Sequence, residues 1–462
     1  MPSIRRSKRL LLLLIPIVLF LIFLTLGHYE KLPPQISPEW SFLSLGNKFN
    51  YSYLGSNNTN SVFPVMSTYE ELGFQLVPED VKFQYINKMG KKGSPKDILK
   101  INMDKYKSLM DQEIHEPKDF DMETIRPPQD PKSYDHASAT IVSLVRGAEA
   151  AALGKSIVQF EKKFNSKFLY PYTFINDVPF TDSFKERMRK YSLAPMNFVT
   201  IPAELWDKPE SIDEAKERKA MDILASKDVS YAKKASYHNM CRFYSGNFYQ
   251  LEEMKKYKYY WRIEPGVKFY SDINYDIFKY LEGTQKIYGF TINLYDIDES
   301  VETLWPETLK YLNSEDNYKY VNVNGAFQWI LENQQLPKKN RVTGGYSTCH
   351  FWSNFEIGDM DFFRGEAYTN WFKFLDSTGK FYYERWGDAP VHSLGLALFA
   401  DKKDIHWFRD IGYWHDPYAN CPNSKGTLDC EKGLFSRWDN LNDQNCMATW
   451  VDDAIENPEK IY

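Results

Sequence analysis

Tyr257–Tyr270 reads YKYYWRIEPGVKFY, and this stretch decides the fold. Tyr259 to Ile263 is aromatic and β-branched, the composition of a strand, and Pro265-Gly266 stops it abruptly. Glu264 therefore sits where the strand ends. In open α/β sheets ligands gather beyond the carboxyl ends of strands, so an acid placed there is positioned to meet a metal or a polar substrate. A plain turn explains Glu-Pro-Gly equally well on its own, and only the rest of the chain separates the two readings.

Upstream, Ala139–Val145 (ATIVSLV) has the apolar character of a buried strand, Arg146-Gly147 is a turn, and Ala148–Phe164 is an amphipathic helix carrying Leu153, Ile157, Val158 and Phe164. A second strand follows at Tyr172–Asn176. This order opens a nucleotide-binding α/β sheet, with Arg146 in the loop that faces the nucleotide. No glycine-rich phosphate fingerprint accompanies it. Glu210–Ser226 and Val229–Tyr244 read as helices, Tyr275–Leu281 as a further helix and Lys286–Asn293 as a strand ending at Asp296-Ile-Asp298. Paired acids in a loop are ordinarily just solvated, so that Asp-x-Asp is discounted as a metal site.

The chain has 462 residues, enough for two or three domains or one large one. A net charge of -5 gives no general attraction to nucleic acid. Leu10–Leu26 is nearly continuous apolar sequence directly after Arg5, Arg6, Lys8 and Arg9. It spans about 25 Å as a helix, the short end of what crosses a bilayer, and the basic cluster holds the amino terminus in the cytoplasm. A cleaved signal peptide fits less well, because Thr25-Leu26-Gly27-His28 is a poor cleavage site. The expected layout is a cytoplasmic tail (1–9), a transmembrane signal anchor (10–26), a luminal stem (27–125) rich in Pro, Ser, Asn and Lys, and a folded domain (126–462). Sequons at Asn50 and Asn57 and five cysteines suit an oxidising lumen, with one or two disulfides and a thiol left over.

Thr343–His415 is the densest region, holding four of the eight histidines among acids and aromatics. Acids flanked by Trp and Phe need a cation, a hydrogen bond or a ligand, or else a satisfied internal network. Four stretches here and upstream, YWRIEPGV, YSTCHFWSNFEI, ERWGDAPVHS and HWFRDIGY, closely resemble the fungal Golgi α-1,2-mannosyltransferases, glycosyltransferase family fifteen, over Ala137–Cys421. Ser271 departs from the pattern, since relatives are expected to carry Cys there.

The resemblance implies an α/β, GT-A-like fold with a mixed central sheet flanked by helices. It also implies a type II Golgi enzyme that uses GDP-mannose and Mn²⁺ and transfers mannose, with retention, to a mannose hydroxyl of O-linked or N-linked glycans. Glu264 and His415 are the implied metal ligands. Glu356 is the implied nucleophile or transition-state stabiliser, and Asp388 is the candidate for holding or deprotonating the acceptor hydroxyl, with His392 a weaker partner. Tyr237, Arg146 and Arg262 are assigned to the donor, the arginines because their planar forks suit a diphosphate. A mannosylphosphate-transfer or regulatory member, a noncatalytic glycan-binding protein and a glycoside hydrolase are the competing readings.

Overall fold

The computed structural model describes Phe83 and residues 85–462, all within the unit that spans 55–462. The expected tail, anchor, sequons and most of the stem lie outside the described residues. Among those described, no helix is long and apolar enough to cross a membrane.

The strands run in chain order as β1 (Ala139–Leu144), β2 (Tyr172–Asn176), β3 (Met196–Thr200), β4 (Tyr259–Arg262), β5 (Lys268–Phe269), β6 (Tyr288–Phe290), β7 (Asn293–Tyr295), β8 (Cys349–Phe351), β9 (Glu356–Asp359), β10 (Ile405–Trp407), β11 (Tyr413–His415) and β12 (Tyr418–Asn420). Seven form one sheet in the order β10-β6-β9-β4-β1-β2-β3. The sheet is mixed: β9 runs antiparallel to β4 and β6, whereas β1 is parallel to β2 and β4. Parallel neighbours need covering helices, and the helix Ala150–Lys163 supplies one. It buries Leu153, Ile157 and Phe160 at helical spacing, and Phe160 packs edge-on against Trp261 of β4 at 4.8 Å. Val158, expected on that apolar face, is exposed instead.

Three expectations need correction. The strand expected over Lys286–Asn293 splits into β6, in the main sheet, and β7, which leaves to pair with β8. The helix expected over Val229–Tyr244 begins only at Ala235, because Asp228 and Tyr231 take positive φ and keep the chain out of a helix before it. The third concerns the stretch expected as a stem without sustained apolar period, which contains a packed helix. Helix Pro95–Asp111 is capped by Ser94, buries Ile98, Tyr106, Leu109 and Met110, and packs on helix Met447–Ala454. Lys91 and Lys105 close that contact by ion pairs to Asp452.

Two disulfides, Cys349–Cys446 and Cys421–Cys430, leave Cys241 as a buried thiol. Ser271 does not lack partners: its hydroxyl meets Thr427 Oγ1 at 2.7 Å and accepts from the Gly412 amide at 2.6 Å. The Cys349–Cys446 bridge spans 97 residues and ties β8 to the carboxyl-terminal helix. Opening it with Cys446→Ser is expected to cost about 4 kcal/mol through restored unfolded-chain entropy, read as a lower urea midpoint; an unchanged midpoint contradicts this.

Candidate active site

The site forms where β1, β2 and β4 end. Past β4 the chain turns at Pro265-Gly266, with Gly266 at φ 92°, a conformation that a residue bearing a side chain rarely adopts. That turn leaves Glu264 half-buried beside a cleft of about 160 Å³, which is also lined by Arg146, Asn176, Tyr237, Tyr244 and Pro265. Arg146 is exposed there, its backbone amide held by Glu149 at 2.9 Å. Tyr237 stacks on Tyr231 with ring centres 4.7 Å apart and receives a hydrogen bond from Arg385 at 3.3 Å.

Because β9 is antiparallel to β4, Glu356 opens its strand opposite Arg262, the last residue of β4. The register thus brings a carboxylate and a guanidinium together from opposite strand ends. Arg262 is buried and stacks on Tyr244, its guanidinium 3.8 Å from the ring centre. Its Nη1 reaches Asp388 Oδ2 at 2.6 Å and lies 3.6 Å from Glu356 Oε1. Nε and Nη2 both donate to Glu264 Oε1, at 3.0 and 2.5 Å. Arg262 therefore turns to three carboxylates, its fork engaged by Glu264 and Asp388.

Asp388 opens the buried helix Asp388–Phe399, where a negative charge complements the helix dipole. Its Oδ2 also accepts from Ser353 Oγ at 2.8 Å. Burial raises its pKa, but Arg262, His392 and these hydrogen bonds outweigh burial and hold the carboxyl below the usual range. The Asp388 carboxylate is thus engaged by both Arg262 and Ser353.

His392 stands one helical turn beyond Asp388, on the same face. Its Nδ1 meets Glu356 Oε2 at 2.9 Å, and Tyr288 donates to that same oxygen at 3.0 Å. Glu356 has no exposed surface, and its Oε1 has no hydrogen-bond partner. Sequence reasoning missed Tyr288, Tyr244 and Ser353. The i, i+4 spacing of Asp388 and His392 was the signal available for that helix face.

Glu264 Oε2 and His415 Nε2 face each other across 3.9 Å, both side chains partly exposed. His415 Nδ1 lies 3.1 Å from the Asp416 carbonyl oxygen, which only accepts, so in the neutral ring Nδ1 carries the proton and Nε2 offers a lone pair. Two lone pairs opposed at that distance suit a cation between them. Among the described residues no cluster of three or more His, Cys, Asp and Glu forms a closed metal cage, so an ion here needs further ligands from elsewhere. Asp298 of the Asp-x-Asp is met by Lys338 and Lys339, and Asp296 by Arg385.

Known proteins share this arrangement of chain. The probable mannosyltransferase KTR4 of Saccharomyces cerevisiae is 47% identical over 374 residues, 79% of each chain. The solved structure of the mannosyltransferase Ktr4p from S. cerevisiae in complex with GDP is 46% identical with a TM-score of 0.76, covering 80% of this chain and 94% of that one. Core-mannan synthase A from Aspergillus fumigatus, in its Mn/GDP form, is 40% identical with a TM-score of 0.69, covering 82% of this chain and 97% of that one. The fold is accordingly GT-A-like α/β, as the resemblance implied. The family described as Glycolipid 2-alpha-mannosyltransferase matches residues 96–455, and this chain, an α-1,2-mannosyltransferase, belongs to it.

Proposed function

We propose that the enzyme transfers mannose from GDP-mannose, with retention and in the presence of Mn²⁺, to a mannose hydroxyl of an O-linked or N-linked glycan in the Golgi. The observation that carries the reading is the opposed pair Glu264 Oε2 and His415 Nε2 beside the cleft at the carboxyl ends of β1 and β4. Two relatives support the donor and the ion, one solved with GDP and one in a Mn/GDP form. Glu264 and His415 would hold the Mn²⁺, which would neutralise the charge that gathers on departing GDP.

The chain's own residues do the rest. Glu264 is presented to the cleft by Arg262, which occupies one carboxylate oxygen and leaves the other toward His415. Tyr237 and Arg146 line the same cleft. Arg146 offers its guanidinium to the diphosphate and Tyr237 its ring and hydroxyl to the donor. Glu356, buried behind Arg262, places fixed negative charge where the anomeric carbon becomes positive. Its burial favours that stabilising role over direct attack, because a nucleophile has to touch the carbon. Asp388 positions Arg262. The layout of tail, anchor and stem, with the domain facing the lumen, rests on the sequence of residues 1–82 and belongs to this reading.

His415→Ala tests it. GDP affinity in Mn²⁺ is expected to fall by at least about tenfold, the loss that even outer ligand-shell changes cause, while affinity in EDTA stays as in the unaltered enzyme. Titration calorimetry reads both arms. An equal loss in each would place His415 outside the metal site.

A further inference from the structure

Both ring nitrogens of His392 face acceptors. Nδ1 lies 2.9 Å from Glu356 Oε2, and Nε2 lies 2.9 Å from the Tyr244 carbonyl oxygen and 3.1 Å from the Tyr249 hydroxyl. A carbonyl and a carboxylate accept only, so a neutral imidazole would leave one contact without a proton, whereas an imidazolium satisfies both. The ring has no exposed surface, and neither has Glu356. Tyr288 adds its hydroxyl to Oε2 from the neighbouring strand. One oxygen of Glu356 is thus saturated, and the other, Oε1, accepts no hydrogen bond and faces Arg262 Nη1 at 3.6 Å.

We propose that His392, as an imidazolium, is a positioning residue for mannosyl transfer: with Tyr288 it locks Glu356 by Oε2 so that Oε1 is held toward Arg262 Nη1, the guanidinium that also holds Glu264 at the cleft. The inference rests on the role given above to Glu356. A carboxylate free to rotate would spread its charge over several orientations, and misplacement by an ångström near a reacting centre costs about a hundredfold in rate.

The charged and titratable groups around the ring come from every element packed on it: Glu356 on β9, Tyr288 on β6, Arg262 and Tyr260 on β4, Tyr249 and Tyr244 from the segment before β4, Tyr368 from helix Glu366–Ser377, and Asp388 on its own helix. Burial pulls the imidazole pKa down, but the charge and hydrogen bond of Glu356, with Asp388 behind, hold it above the ordinary 6.5. The lock is therefore complete below pH 6.5 and is released as pH rises through the elevated value.

Three measurements test the proposal. First, kcat of the unaltered enzyme against pH should carry an alkaline limb with its midpoint above 6.5. Second, His392→Gln should lower kcat by about a hundredfold with the KM for GDP-mannose little changed and should abolish that limb. Tyr288→Phe, which keeps the ion pair, should cost about tenfold and retain the limb. Third, nitrogen NMR of the histidine-labelled enzyme, which needs no turnover, should show both His392 nitrogens protonated at pH 6.5. A neutral His392, or an unchanged kcat and pH profile in His392→Gln, overturns the positioning role. Absence of transfer by the unaltered enzyme overturns the reading of its function instead.

Discussion

Glu356→Gln is expected to reduce mannosyl transfer by about a thousandfold, while GDP and Mn²⁺ bind within a few-fold of the unaltered enzyme. The substitution is nearly isosteric, so packing around this fully buried side chain survives. A single amide oxygen can still accept from both Tyr288 and His392, which hold Oε2 now. What disappears is the negative charge, and the amide NH₂ then points at Arg262 Nη1, 3.6 Å from the present Oε1. The sugar carbon consequently loses the charge that meets its own as the glycosidic bond breaks. GDP binding is spared because neither Glu264 nor His415 touches Glu356. Single-turnover rates and titration calorimetry, run side by side, separate the two effects. Unchanged turnover removes Glu356 from the mechanism, and a mannosylated Glu356 peptide would assign it direct attack.

The second large effect falls on stability. Arg262→Met deletes the guanidinium that faces Glu264, Asp388 and Glu356 and leaves buried carboxylates without their cation. Breaking a buried pair from one side costs about 3–5 kcal/mol. The pH dependence should change sign with it. In the unaltered enzyme the lowered pKa of Asp388 contributes stability that is complete above its unfolded value near 3.8 and is lost as pH falls further. Without Arg262, burial dominates and raises that pKa, so the folded state holds more protons than the unfolded chain and acidification restores stability. Urea midpoints of the variant should therefore be higher at about pH 5 than at about pH 7. A midpoint that is equal to the unaltered enzyme's, or that falls on acidification, contradicts the three-carboxylate arrangement.

How far the sequence announced this site depends on the kind of signal each residue gives. β1, the helix after it, β2 and β4 were legible because apolar runs and helical spacing report burial directly, and Glu-Pro-Gly marks the end of β4 in letters. The split of the run at Lys286–Asn293 into β6 and β7 was not, because a strand that changes sheets keeps the same apolar composition throughout. The internal partners of Arg262 were hidden for a related reason. An arginine beside a strand-end acid looks the same whether it faces a phosphate or three internal carboxylates, and only the antiparallel return of β9 decides. Tyr288 was invisible as a polar partner because a tyrosine in a strand reads as core, and its ring is core: the hydroxyl alone reaches Glu356. Helix Pro95–Asp111, within the expected stem, was missed because it is stabilised by contact with a helix more than three hundred residues later. The roles of Glu264, His415 and Glu356 came from the resemblance, although the position of Glu264 was legible by itself, and the fold supplies the physical reason for two of them: Glu264 follows the end of β4 and Glu356 begins the strand beside it.

Catalysis here requires an ion between Glu264 and His415 that serves transfer rather than hydrolysis. The direct measurement is to incubate the purified enzyme with GDP-mannose and methyl α-mannoside, in Mn²⁺ or in EDTA, and determine the linkage and anomeric form of the product. The expected result is an α-1,2-linked dimannoside in Mn²⁺ and none in EDTA. The same disaccharide formed in EDTA, or free mannose as the sole sugar product, would contradict it.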